Sequence, residues 1–299
     1  MQISIPTQRS FNLKRTMISH GWSELVPFEF DQNTWTLTRV IDLGNAAPVT
    51  VRITGIKREL RVNTSARLTK TAERTVITDV RHMLRLDDDM ASFYRAMSAD
   101  PDFEWIGREG AGRMLRAPTV FEDLVKMICT TNCSWAMTDK MVSGLVESLG
   151  RESKDGRRTF PTPEAMALMP LRFYVNEVRA GYRAAYLKEL AERVASGELD
   201  VGEWLKSDLP TPELIKKIKS VKGVGDYAAE NLLKLVGRYD GLALDSWTRA
   251  KFARIHNRGR QASDKKIARF YSRFNSWRGL ALWCDLTRDW LDGEDATRG

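Results

Sequence analysis

A single carboxylate stands directly after an apolar run in Leu242-Ala243-Leu244-Asp245-Ser246. An acid placed there can stabilise positive charge developing on a reacting carbon, or orient and deprotonate a water. Upstream of it, Val221-Lys222-Gly223-Val224-Gly225 reads as a tight Gly-rich turn. Two glycines one residue apart permit backbone angles a side chain resists and leave amides uncovered for an anion. Lys219 and Lys222 add positive charge beside that turn. An anion-binding turn followed by a lone acid joins phosphate binding to chemistry. A second role for Asp245 is compatible with the first: N-cap of a helix that begins at Ser246 or Trp247.

The elements that must position these residues are two short helices joined by the turn, spanning 214–236. Asp226 is expected to cap the second, where Ala228, Ala229, Leu232, Leu233 and Val236 recur at helical spacing. Beyond the acid, a basic run from Arg249 to Arg273 is opposed only by Asp264, and reads as a phosphate-binding patch or a solubilising face.

The segment KSVKGVGDYAAENLL, followed at matching spacing by LALDSW, resembles the helix-hairpin-helix DNA glycosylases related to alkyladenine and 8-oxoguanine glycosylases. The resemblance covers roughly residues 107–291 and implies a mainly helical core, a hairpin that grips the DNA backbone, and Asp245 as the catalytic residue. It further implies a structural monovalent cation held by the carbonyls of Val221 and Val224. Bifunctional members carry a lysine two residues after the second hairpin glycine, where this chain has Tyr227. The aromatic resembles the alkylation-repair branch, whereas Gly107–Trp135 is similar to the oxidised-purine branch. The expected activity is therefore monofunctional release of a flipped, damaged base, with an alkylated purine as the expected lesion. Two alternatives stay open: an oxidised-purine glycosylase with weak lyase activity, and a non-catalytic hairpin protein that binds DNA.

By the same resemblance, Asn132 is the candidate for contact with the orphaned base, a turn asparagine being the other reading. Tyr182, Tyr186, Tyr227 and Trp277 are candidates for the base pocket, with core packing the competing explanation for Tyr182, Tyr186 and Trp277. Arg249 joins Lys219, Lys222, Gly223 and Gly225 as a candidate DNA contact.

The whole chain sets the bounds. Its 299 residues are 42% hydrophobic, enough for a substantial core, and a formal charge of +8 favours a polyanionic partner. Double-stranded DNA containing a damaged base is the expected partner, and the chain is expected to act as a monomer. No run is apolar and long enough to span a bilayer. The expected location is the cytoplasm and nucleoid of a bacterium, or the nucleus of a eukaryote. Three cysteines do not make the four-cysteine set of an iron–sulfur cluster, so no cluster and no other cofactor is expected.

The expected fold class is α+β, with an antiparallel β domain over residues 1–86 and a helical glycosylase domain over 87–299. Strands are expected at Trp35–Ile41, Val49–Ile53 and Thr75–Ile77, with a short helix inside Asn12–Ser23. Asp87-Asp88-Asp89 is expected to cap a helix over Met90–Ala99 rather than to bind metal. Thr119 and Glu122 form a capping-box pattern ahead of a buried helix. The polar, basic segment Gly150–Pro163 reads as a mobile connection near DNA, with Arg157 and Arg158 as phosphate contacts or solvated loop residues.

Overall fold

The computed structural model describes residues 1–291; the last residues of the expected helical domain, 292–299, lie outside the described residues. Near the N-terminus the chain builds a five-stranded antiparallel sheet in the order β1-β5-β4-β3-β2. The strands are β1 Gln2–Pro6, β2 Phe28–Asp31, β3 Thr36–Ile41, β4 Val49–Ile56 and β5 Glu59–Thr64. Period-two alternation explains the buried face: Ile3 and Ile5 on β1, Val51 and Ile53 on β4, and Leu60 and Val62 on β5 point inward. A short helix, α1 Leu13–Met17, falls within the segment where one was expected.

Thr75-Val76-Ile77, expected as a strand, lies instead inside α2 Lys70–Met83. Thr69 starts that helix by accepting from the Ala72 amide, and Val76, Val80 and Met83 are buried at helical spacing. Three β-branched residues could not outweigh the helix-forming flanks.

The helical body follows. It comprises α3 Ala91–Ser98, α4 Glu104–Glu109, α5 Val120–Thr130, α6 Trp135–Leu149, α7 Pro163–Ala167, α8 Leu171–Asn176 and α9 Ala184–Ala195. The hairpin pair is α10 Thr211–Lys219 and α11 Asp226–Leu235, and α12 Ser246–His256, α13 Asp264–Tyr271 and α14 Arg278–Leu286 complete the set. A short 3-10 turn, Arg288–Leu291, ends the described chain.

Sheet and helices share one core, and buried ion pairs stitch them together. Arg39 of β3 places both guanidinium nitrogens on Glu122 of α5, at 2.7 and 2.6 Å, while Lys126 reaches the same carboxylate at 2.8 Å. Burial opposes the ionisation of Glu122, but Arg39 and then Lys126 outweigh it and hold the carboxyl below its usual range. The capping box expected at Thr119 is thus half formed: Thr119 accepts from the Glu122 amide, but the Glu122 side chain turns to Arg39. Next to it, Asp123 accepts from the Trp22 indole at 2.7 Å and from the Ala117 amide at 2.9 Å.

The acidic run is divided among three tasks. Asp89 accepts from the Ala91 amide at the start of α3, Asp87 pairs with Arg81, and Asp88 binds Arg85 at 2.5 Å. Arg85 also donates to the Lys234 and Leu235 carbonyls, and Arg116 to that of Leu235. Two guanidinium groups therefore cover the negative end of α11 and fix the hairpin to the body.

The segment expected to be a mobile connection is folded onto the sheet. Arg151 donates to Asp42 at 2.5 Å, Arg157 forks onto Glu29 at 2.8 and 3.0 Å, and Arg158 binds Glu152 at 2.6 Å. Arg157 and Arg158 are thereby committed to carboxylates of the protein, which a reading of local composition could not foresee.

Candidate functional site

The hairpin turn is bent at Gly223, whose φ of +87° is a conformation that side chains resist. An added Cβ there would also sit 2.7 Å from the Tyr186 ring. Gly225 differs: its φ is −86°, and an added Cβ would meet nothing within 4 Å. Its backbone is one that any residue adopts, so what glycine provides at 225 is open space in front of the first amides of α11. Gly225 itself is the N-cap, and no side chain caps the helix. Asp226, expected to do so, is drawn aside by Lys219 at 2.6 Å. Lys222 pairs with Glu189 at 2.7 Å. Both lysines are exposed, and such pairs exchange readily for other anions.

Asp245 is the N-cap of α12. Its carboxylate accepts from the Thr248 amide at 2.7 Å, and the Thr248 hydroxyl accepts from the Asp245 amide at 2.8 Å, a reciprocal capping box. The cap fixes the carboxylate while leaving it half-buried at a cavity of about 1010 Å³. Tyr227, at the start of α11, lines the same cavity: burial, then the Asp245 charge, push the phenol up to about 12. Tyr227 therefore stays a neutral phenol.

The cavity is walled by aromatic rings from distant parts of the chain. Tyr182 and Tyr186 stand in T-shaped contact, their ring centres 6.1 Å apart. In the same wall Trp247, Trp283 and Trp290 form a mutually touching group with ring centres 5.8 to 5.9 Å apart. Trp22 and Trp135 complete the wall. Gly21 lets this N-terminal strap approach, since a Cβ there would lie 2.3 Å from the Trp135 ring.

Asn132 also lines the cavity, exposed and with φ +47°, just beyond the end of α5. Its turn is braced by Arg183, which donates to the Thr131 carbonyl and stacks on Tyr182 at 4.4 Å. The cavity thus gathers Asp245, Asn132, Tyr182, Tyr186, Tyr227 and the hairpin residues 219 and 221–226.

Two expected site residues lie elsewhere. Trp277 is stacked on Tyr239 at 5.3 Å and packed against Phe93, outside the cavity. The Arg278 side chain donates to the Asp240 carbonyl at 2.5 Å and the Gly279 amide to that of Tyr239 at 2.7 Å, which holds this corner inside the core. Arg249 is outside the lining as well, with its guanidinium on Asp264 at 2.8 and 3.0 Å. Elsewhere in the basic run, Lys251 is buried against Asp289 at 2.7 Å and Arg273 binds Asp100 at 3.0 Å. These acids come from other segments, so counting charge along the run overstated the patch. His256 pairs with Asp285 at 2.6 Å, and Tyr271 shares that carboxylate.

The turn has backbone to offer a cation. The Val221 carbonyl accepts one hydrogen bond, from the Val224 amide at 3.1 Å, which leaves a second lone pair. Among the described residues, no group of three or more His, Cys, Asp or Glu side chains could hold a metal ion. No described helix is long and apolar enough to cross a membrane.

A family model described as HhH-GPD superfamily base excision DNA repair protein matches residues 125–276, a stretch that contains the hairpin, Tyr227 and Asp245. The chain belongs to the HhH-GPD superfamily. Within that superfamily it is 22% identical over 214 residues to the DNA-3-methyladenine glycosylase of Bacillus subtilis (strain 168), covering 69% of each chain. Its fold is shared with the 3-methyladenine DNA-glycosylase from Archaeoglobus fulgidus, at a TM-score of 0.75 and 22% identity over 98% of this chain and 99% of that one. The apo-form 8-oxoguanine glycosylase/lyase of Clostridium acetobutylicum gives a TM-score of 0.72 at 21% identity, covering 94% of both chains. These two HhH-GPD folds span both lesion classes, so the fold alone does not select a substrate.

Proposed function

We propose that this HhH-GPD protein is a monofunctional DNA glycosylase that hydrolyses the N-glycosidic bond of an alkylated purine flipped out of duplex DNA. The observation that carries the reading is the placement of Asp245 and Tyr227 together on one aromatic-walled cavity. Breaking the bond between C1′ and the base develops oxocarbenium character on the sugar. A carboxylate fixed by its own cap stabilises that charge and orients the water. A lyase needs an amine as nucleophile, and Tyr227 occupies the position where bifunctional relatives carry one.

The aromatic wall supports an alkylated purine as the lesion. Indole and phenol faces attract a base carrying formal positive charge more strongly than a neutral one. Glu24 lines the same cavity and adds negative charge to that of Asp245. Asn132, at the mouth, takes the place of the departed base, while the open amides at Gly225 and the charges of Lys219 and Lys222 hold the phosphates. The Val221 and Val224 carbonyls would hold a monovalent cation, whose charge would reinforce the hairpin's grip on phosphate. The chain acts as a monomer on this reading.

Incubating the purified chain with duplexes that each carry one alkylated, deaminated or oxidised base tests both parts. Free alkylpurine, with no covalent adduct after borohydride, is the expected result. A strong borohydride trap rejects the monofunctional assignment, and release of 8-oxoguanine alone rejects the alkylpurine pocket.

A further inference from the structure

The segment carrying Asp245 is gripped from beneath by the hairpin's own second helix. Glu230 and Lys234 lie one turn apart on α11. The Glu230 carboxylate accepts from the Ala243 amide, and its methylenes fill the space over Gly241, where an added Cβ would sit 3.1 Å from Cγ. Lys234, fully buried, reaches the Leu242 carbonyl at 3.5 Å. Between these contacts Ala243 is held at φ +54°, a conformation a non-glycine residue keeps only where its surroundings impose it.

A buried lysine is costly where an apolar side chain of similar length would fit. Burial lowers the Lys234 ammonium to about 8, with Glu230 and then Asp245 drawing it back up.

We infer that Glu230 and Lys234 are positioning residues for Asp245: Glu230 fixes the chain at Ala243, and Lys234 fixes it at Leu242. The inference rests on the catalytic role proposed for Asp245. It joins the element that holds phosphate to the residue that does chemistry, through two side chains that touch neither DNA nor the reacting bond.

Glu230→Ala, Glu230→Gln and Lys234→Met test it by two readouts: amide hydrogen exchange over residues 240–248, and single-turnover base release on an alkylpurine duplex. Glu230→Ala is expected to speed exchange at Ala243 and to slow release by about tenfold to a hundredfold, with DNA affinity within about twofold. Glu230→Gln, whose amide oxygen accepts the same N–H, should recover most of both losses. Lys234→Met should leave the acceptor at Ala243 in place but remove the donor at the Leu242 carbonyl, speeding exchange over residues 240–248 and slowing release less than Glu230→Ala does. Unchanged exchange in Glu230→Ala, or in Lys234→Met, overturns the inference. The exchange arm needs no substrate, so the two failures separate. A parent chain that releases no base rejects the glycosylase reading, whereas an active parent with indifferent variants rejects the positioning role alone.

Discussion

On the proposed mechanism two demands fall on the side chain of Asp245, and they can be separated. Asparagine caps a helix about as well as aspartate but cannot stabilise an oxocarbenium ion or take a proton from water. Asp245→Asn should therefore lower base release by roughly a thousandfold or more, move the melting temperature by no more than about 2 °C, and leave most DNA affinity. Turnover like the parent's would remove Asp245 from the mechanism. The acid was legible in the sequence because it ends an apolar run, and Tyr227 because it stands where an amine would matter. Lys234 and Glu230 were not legible. Both occupy ordinary helical positions, and only the return of the chain at Leu242 and Ala243 gives them partners. Trp277 was misread for the converse reason: family resemblance made it a pocket candidate, while its neighbours in space are Tyr239 and Phe93.

The two hairpin glycines do different work, and substitution at each should fail differently. At Gly223 any side chain meets a left-handed backbone and the Tyr186 ring, so Gly223→Ala should cost stability, on the order of 1–3 kcal/mol. At Gly225 the backbone tolerates a side chain and the space is open, so Gly225→Val should fold like the parent yet bind duplex DNA more weakly. Lys222→Ala should mainly reduce the salt dependence of binding by about one counterion. Denaturation midpoints and salt titrations of the folded variants check all three. A folded Gly225→Val protein that binds as the parent does would mean the hairpin is not the phosphate anchor. The spacing of the turn and the periodicity of α11 were visible in the sequence, whereas the distinction between the two glycines needed the backbone angles. Where the strand-like triplet at Thr75 misled, the capped helix around it carried more weight than three β-branched residues.

Across the whole molecule the sheet is bound to the helices by charges that no local pattern announced. Arg39, Glu122 and Lys126 come from two parts of the chain and are buried together. Linear sequence marks a charge as surface by default, and only the partner reverses that reading. His82 lies beside the arginines that hold the end of α11. Burial, then Arg116 and Arg85, lower its imidazole from 6.5 to about 4. A histidine lowered on folding binds its proton more readily in the unfolded chain. Its contribution to stability is complete above pH 6.5 and is lost as the pH falls towards 4. Relative to its own value at pH 7, His82→Gln should thus lose less stability than the parent on acidification to pH 5, by on the order of 2 kcal/mol. Parallel urea unfolding of both proteins at the two pH values measures this, and equal losses would contradict it.

The indole wall has an optical consequence. Of the 9 tryptophans in the chain, Trp22, Trp135, Trp247, Trp283 and Trp290 border the cavity, and the last three touch one another. Neighbouring indoles pass excitation between them, so a purine stacked on one ring dims the emission of the group. The protein carries its own fluorophore at the place where a base would enter. Extrusion of a nucleotide into the cavity can be timed by stopped-flow emission, with unlabelled protein and unmodified DNA ends, separately from the bond cleavage that follows.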